Sequence, residues 1–393
     1  MSVTLGQAPE ALDSPQLLID LDVVDTNLQH MLHAAWGRGV DVRVHFKSLK
    51  SAGLARYLDG RVRQEAERFL AKQSTPGGPG PLKSAGLEKH LAARGVTRFL
   101  CAKLNEAEVL ADAGLTDLFV ANQIVGPLKP ARLARLARRA QVRVCVDDAH
   151  NVAALGRAAR AERVTLGVLV EVNIGMNRCG VEPGEPALAL ARQVAAETGL
   201  CFDGLQGYDG HLQMLPDPAE RRAKCLAGLE RLIATRRLIE GAGLPVAVVT
   251  GAGTGTWEFA SQFEGVTEIQ PGSFILMDCA YHAVRPEFGC ALSVLATVLS
   301  RGPGRYVLDA GSKAISKDFG TPTVKGRPGE RVVKLAEEHT LVECAAEPPW
   351  VGERREVLPA HCCATMNLHR QCVAVRGGRV EAVWPIEASG RYD

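Results

Sequence analysis

Short apolar runs alternate with longer amphipathic stretches through the first two thirds of the chain. The runs are strand-sized: Val42–Lys47, Phe99–Lys103, Leu118–Asn122, Arg143–Asp147, Gly167–Ile174, Gly204–His211, Ala247–Gly251 and Val266–Gln270. Between them, segments such as Glu106–Ala113, Pro130–Arg139, Ala187–Thr198 and Ala219–Gly241 place apolar residues at helical spacing. Eight strand–helix alternations predict an α/β fold of the (β/α)₈, or TIM-type, barrel class.

Beyond about Pro271 the texture changes. Ala291–Ser300, Arg305–Leu308 and Gln371–Arg376 alternate apolar and polar positions, with Gly/Pro turns between them. This predicts a mostly β C-terminal domain. Gln16–Asp20 reads as a strand of that same domain, made before the barrel begins. The expected organisation is an N-terminal segment of the β domain at 1–22, a barrel at 23–275 and a β-rich domain at 276–393. About fifty residues separate the first two barrel strands, more than one helix and its loops require. They include the Gly/Pro-rich stretch Ser74–Pro81, and LKSAGL occurs at both Leu49–Leu54 and Leu82–Leu87. Residues 59–95 therefore read as an insertion. Lys83 lacks the strand that precedes Lys47 and reads as a surface residue.

Composition narrows the class. With 46% hydrophobic and 23% charged residues, the chain can bury a large core and a smaller one. A net charge of +2 on dispersed Lys and Arg offers no track for nucleic acid and no basic patch for a membrane. No apolar run approaches the roughly 18 residues of a membrane span, and Met1–Pro15 lacks the pattern of a secretory signal. A cytoplasmic enzyme without nucleic-acid or membrane partners is expected. The 11 cysteines form no CxxC pair and sit mostly in apolar runs, as reduced structural thiols do.

Barrels carry their chemistry at the C-terminal ends of the strands. Strand one delivers His45-Phe-Lys47 there, and desolvation at a barrel mouth lowers an amine's pKa as Schiff-base chemistry requires. The bland reading is a lysine snorkelling at the rim. Strand seven runs into Gly251-Ala-Gly253-Thr254-Gly255-Thr256, where barrels often hold phosphate on backbone N–H groups and hydroxyls. A lysine and a phosphate cradle together suit a phosphorylated aldehyde cofactor. Strand five leads to Gly175-Met-Asn-Arg178-Cys-Gly180, with Arg178 a candidate partner for a phenolic oxygen. Strand six ends Tyr208-Asp-Gly-His211, and His211 is a candidate acid or base. In the β domain, His361-Cys362-Cys363 read as a strand would put His361 and Cys363 on one side of a divalent cation. Two ligands leave positions open, as a Lewis acid in catalysis needs.

Together these motifs resemble the fold-type III pyridoxal 5′-phosphate (PLP) enzymes of the alanine racemase type, within them the D-threonine aldolase / D-serine dehydratase family. Ser14–Asp22, Cys101–Glu108, Arg178-Cys-Gly180, Gly251–Thr256, Gln270–Ser273, Met277-Asp278 and Trp384-Pro-Ile386 carry the likeness. The resemblance implies a homodimer acting on a small D-amino acid. It places PLP on Lys47, phosphate at Gly253–Thr256, Arg178 at the phenolic oxygen, Tyr208 near the pyridine ring and His211 near the substrate hydroxyl. The metal, Mn²⁺, Mg²⁺ or Zn²⁺, falls on His361 and Cys363. Two positions depart from the pattern. His45-Phe-Lys47-Ser-Leu-Lys50 replaces His-x-Lys-Thr-His-Lys, which gives Lys50 a lesser claim as anchor. Cys363 stands where aldolases carry Asp and dehydratases carry Cys. The leading expectation is a lyase splitting D-β-hydroxy-α-amino acids into glycine and an aldehyde. The alternatives are a zinc-dependent dehydratase giving a 2-oxo acid and ammonia, or a PLP-binding protein without turnover.

Overall fold

The structure is a computed structural model that describes residues 3–73, 87, 91 and 97–393. Its elements fall into two units. One comprises Met1–Gln29, Ser48–Leu54 and Ser273–Gly390; the other comprises His30–Lys47, Ala55–Gly272 and Arg391–Asp393. The first strand, β1 (Gln16–Asp20), and the helix after it, α1 (Leu21–Trp36), lead into the second unit.

That second unit is a barrel. Its strands are β2 (Asp41–His45), β3 (Arg98–Cys101), β4 (Asp117–Gln123), β5 (Gln141–Val146), β6 (Leu166–Glu171), β7 (Leu200–Gly207), β8 (Val248–Gly251) and β9 (Glu268–Ile269). All pair in parallel with their sequence neighbours, and β9 closes on β2 through Asp41↔Glu268 and Val42↔Ile269. The intervening helices are α2 (Ala52–Gln73), α3 (Leu104–Asp112), α4 (Lys129–Leu136), α5 (Ala149–Glu162), α6 (Glu185–Ala196), α7 (Pro218–Gly241) and α8 (Trp257–Ser261). Local chemistry sets their ends: the Asp148 and Asp217 carboxylates accept from the first free N–H groups of α5 and α7. The stretch 59–95 begins inside α2, where Val62, Ala66 and Phe69 are buried. Residues 74–86, including the Gly/Pro run, Lys83 and most of the second LKSAGL copy, lie outside the described residues, as do 88–90 and 92–96.

The barrel interior is layered. Leu100, Phe119, Cys145 and Leu169 form an apolar cluster. At the N-terminal end, charged side chains link the strands across the interior. Arg43 on β2 reaches Asp117 on β4 and Glu268 on β9, each at 2.9 Å. Arg143 on β5 reaches Asp203 on β7 at 2.8 Å. Between that pair lies Gly167 of β6, where a Cβ would sit 2.5 Å from Asp203 Oδ2 and 2.9 Å from Arg143 Cγ. Any larger residue there would have to push the ion pair aside.

The other unit is mostly β. After α9 (Cys279–Val284) come β10 (Leu292–Gly302), β11 (Arg305–Leu308), β12 (Thr323–Val324), β13 (Glu330–Leu335), β14 (Thr340–Cys344), β15 (Arg354–Leu358), a one-turn helix α10 (Cys362–Met366), β16 (Gln371–Arg376) and β17 (Arg379–Pro385). The main sheet runs β13-β14-β11-β10-β1-β16-β17. The strand near the N-terminus therefore lies in its interior, antiparallel to β10 and parallel to β16. Leu12, Leu18, Leu295, Val373 and Val380 form a core cluster beside it. Among the described residues, no helix is long and apolar enough to cross a membrane.

Candidate active site

The strand ends of the barrel surround a cavity of about 280 Å³, at the lower edge of the roughly 300–1,000 Å³ of ligand sites. Lys47, Arg178 and Tyr208 border it, along with Glu171, Gln123, Gln206 and Gln270. Lys47 is not the last residue of its strand, as the sequence pattern suggested. The strand stops at His45, and a 3₁₀ turn over Phe46–Ser48 presents the lysine. Phe46 is fully buried and anchors that turn, whose Lys47 N–H donates to His45 Nδ1 at 3.4 Å. Lys50 has a different setting: buried, with φ +53°, its ammonium donates to Ala388 O at 3.3 Å.

Arg178 comes from the loop after β6. Asn173 Oδ1 accepts from the N–H groups of Gly175 and Asn177, and Gly180 N–H donates to Asp147 Oδ2 at 2.9 Å. A Cβ at Gly180, whose φ is +102°, would meet Asn173 N at 2.7 Å, so the loop folds back tightly behind the arginine. The Arg178 guanidinium lies 5.3 Å from the centre of the Tyr208 ring, in cation–π range. Glu171, missed in the sequence, closes an apolar strand at this cavity. It accepts from Gln123 at 2.6 Å. Burial pushes its carboxyl above the ordinary range, against that bond and the charge of Arg178. A charge ending the run Leu-Gly-Val-Leu-Val was the available signal.

His211 and the glycine–threonine turn sit differently. The sixth strand of the barrel ends at Gly207, so His211 falls on a single 3₁₀ turn, Gly210–Leu212. It is exposed and does not border the cavity. In the turn Gly253–Thr256, Gly253 N–H donates to Thr256 Oγ1 and Thr256 N–H to Gly253 O, each at 3.3 Å. Gly255 N–H donates to Gln213 Oε1 at 2.8 Å, and Gln213 Nε2 donates to Thr256 Oγ1 at 2.9 Å. A Cβ at Gly255 would stand 2.1 Å from Gln213 O. These glycines let the Gln213 segment approach, and their N–H groups already have partners inside the protein.

The β unit holds the histidine–cysteine pair, on a different element from the one expected. His361 caps α10 with extended backbone, and Cys362 and Cys363 begin that helix. Two hydrogen bonds favour it. Thr365 Oγ1 donates to His361 O at 2.8 Å, and Cys362 N–H donates to the buried Asp278 at 2.8 Å. Cys362 is buried. Cys363 Sγ lies 3.1 Å from Ser48 Oγ, and Ser48 follows Lys47 in the chain. Burial alone would lower the His361 pKa, but Cys363 and Asp318 outweigh it and push it up to about 9. Asp318, also missed in the sequence, lies 2.7 Å from His361 Nδ1.

Residues 82–279 match the family model described as alanine racemase, N-terminal domain, and residues 291–375 match a putative serine dehydratase domain. Barrel and β unit thus define an enzyme of the alanine-racemase-like class. The 3-hydroxy-D-aspartate aldolase of Paracoccus denitrificans (strain Pd 1222) is 34% identical over 98% of this chain and 94% of its own length. The D-threonine aldolase of Arthrobacter sp is 35% identical over 98% and 95%. The crystal structure of D-threonine aldolase from Filomicrobium marinum superposes with a TM-score of 0.85 at 36% identity, covering 99% of each chain. The chain belongs to this family of D-threonine and 3-hydroxy-D-aspartate aldolases.

The residues present fit the two groups the family implies. An amine, a guanidinium and an aromatic ring bordering one cavity match a flat, anionic aldehyde such as PLP. Imidazole and thiol at His361 and Cys363 are metal donors. Among the described residues, no group of three or more His, Cys, Asp or Glu is arranged to hold a metal. A pair suits a cation whose remaining positions are filled by water or substrate, and does not suit a closed structural site.

Proposed function

We propose that this chain is a lyase, dependent on PLP and a divalent metal, that cleaves D-β-hydroxy-α-amino acids into glycine and an aldehyde. The observation that carries the reading is the cavity bordered by Lys47, Arg178 and Tyr208, taken with the family of the chain. When bound, PLP supplies an electron sink for the pair released at Cα, and the metal a Lewis acid for the β-oxygen.

Lys47 Nζ would anchor the cofactor, Arg178 would pair with its phenolic oxygen, and Tyr208 would border its ring. Gly253, Thr254, Gly255 and Thr256 receive its phosphate, which requires some of their present internal hydrogen bonds to be exchanged. His211 would take the proton of the substrate hydroxyl as the Cα–Cβ bond breaks, which requires its exposed side chain to turn toward the substrate, since it does not border the cavity. His361 and Cys363 hold the metal, and a thiolate beside an imidazole favours zinc over manganese or magnesium. The 11 cysteines form no disulfide, which suits a reducing cytoplasm. The family resemblance also implies a homodimer, which a solution mass of twice the 42.0 kDa chain would support.

The test is product analysis. Purified protein with PLP, zinc and D-threonine should yield glycine and acetaldehyde in equal amounts. Cys363 favours a second reading, dehydration, which would yield 2-oxobutanoate and ammonia from the same mixture. If cofactor binds but neither pair of products forms from D-threonine, D-phenylserine or 3-hydroxy-D-aspartate, the lyase reading fails in favour of a binding protein.

A further inference from the structure

We propose that Asp318 is a positioning residue for the metal-binding histidine: its carboxylate fixes the tautomer and direction of the His361 ring so that Nε2 points to the cation. This rests on the reading that His361 and Cys363 hold a metal.

The argument starts from a loop between β11 and β12. Asp318 Oδ2 lies 2.7 Å from His361 Nδ1. A carboxylate accepts only, so in the neutral ring that a metal ligand must be, Nδ1 carries the proton and the lone pair is left on Nε2. The carboxylate is itself held, since the Ser316 hydroxyl donates to Asp318 Oδ1. Ser316 N–H donates to Thr365 Oγ1 at 3.1 Å, and Thr365 Oγ1 donates to His361 O at 2.8 Å. Asp318, Ser316 and Thr365 therefore form a circuit that leaves from the His361 side chain and returns to its backbone. Thr365 is fully buried and Ser316 nearly so, so the exposed Asp318 carboxylate is tied to the interior at its back.

The next residue fixes the plane of the ring. Phe319 stacks on the imidazole with centroids 3.9 Å apart and planes within 8°. One short loop thus sets both the edge and the face of His361. An exposed ion pair kept for stability alone is worth little and needs neither the relay to the backbone nor the stacked ring. A ligand-orienting carboxylate uses both, and losing one typically costs 10–100-fold in metal affinity.

The experiment measures zinc affinity of the PLP-loaded protein by competition with a chromogenic chelator. Asp318→Asn, close in shape but uncharged, should weaken zinc binding about 10-fold, and Asp318→Ala about 10–100-fold. Asp318→Glu should recover part of the loss. Cofactor absorbance and the thermal midpoint should stay near the parent values. Zinc affinity within twofold of the parent in Asp318→Asn overturns the proposal, whether or not Asp318→Ala folds. His361→Ala separates the two claims. If it binds zinc as the parent does, the metal is not on His361 and the underlying reading fails; if it loses zinc while Asp318→Asn keeps it, only the role of Asp318 fails.

Discussion

Arg143 donates from Nε to Asp203 Oδ2 across 2.8 Å, directly over the α-carbon of a glycine. The two residues stand on alternate strands, and Gly167 between them leaves the gap they fill. Gly167→Ala should therefore destabilise the barrel although it adds one methyl group. Overpacking of this kind costs ~1–3 kcal/mol, which a shift in the urea midpoint at unchanged slope would register. No change would mean that the ion pair has room to move aside.

Arg43 is the central cation of the same layer and is fully buried. Arg43→Met removes the ion-pair partner 2.9 Å from each of Glu268 and Asp117 and should cost about 3–5 kcal/mol at neutral pH. The pH dependence gives a second reading. Burial would raise the Asp117 pKa, but Arg43, Arg143 and Arg98 outweigh it and hold the carboxyl below its usual range. A depressed carboxylate stabilises the fold above its unfolded value of about 3.9 and loses that contribution as pH falls through the folded value. Parent stability should thus decline on the acid side, and more shallowly in Arg43→Met. Parallel declines in urea titrations across that range would exclude Asp117 as the source.

Two lysines three residues apart make a clean comparison. Lys47→Ala should abolish the visible absorbance of the lysine-bound cofactor and all turnover. Lys50→Ala should keep the absorbance, because Lys50 is committed to the Ala388 carbonyl. Absorbance surviving in Lys47→Ala would move the anchor.

Arg178 combines a charge with a flat face over Tyr208. Loss of a charge-assisted hydrogen bond, worth roughly 1.5–3 kcal/mol, predicts that Arg178→Met lowers kcat/KM about 10–100-fold. Arg178→Lys should recover only part, since an ammonium cannot reproduce the planar fork. Full recovery with lysine would show that charge alone matters.

Chelation should remove turnover and leave the cofactor absorbance, and zinc should restore activity better than magnesium. Cys363→Asp replaces a soft donor with a hard one, so the preferred ion should move toward manganese. An unchanged order of metals in that variant would place the ion away from Cys363.

The strands were legible because each is a short apolar run, as expected of strands covered on both faces. Lys47, Arg178 and Tyr208 were legible for a related reason: each is a polar residue just past such a run, which a barrel turns toward its mouth. Besides Glu171, three features escaped. His361–Cys363 suggested a strand because three residues cannot separate a period of 2 from one of 3.6, and one of the bonds that favour α10 comes from Asp278, 84 residues earlier. His211 was assigned to a strand end on its spacing from Gly204, although the strand stops at Gly207. Asp318 lies 43 residues before its partner, and nothing local marks it.

Strand β1 lies between β10 and β16, so every residue from Leu21 to Ala291 leaves the ribosome before either neighbour exists. At about 5–20 residues per second, Leu17 and Ile19, fully enclosed in the finished protein, wait on the order of tens of seconds with both edges of their strand unmatched. The nascent chain must carry this sticky segment until its last quarter is made, and vectorial synthesis makes that interval the one most open to misassembly.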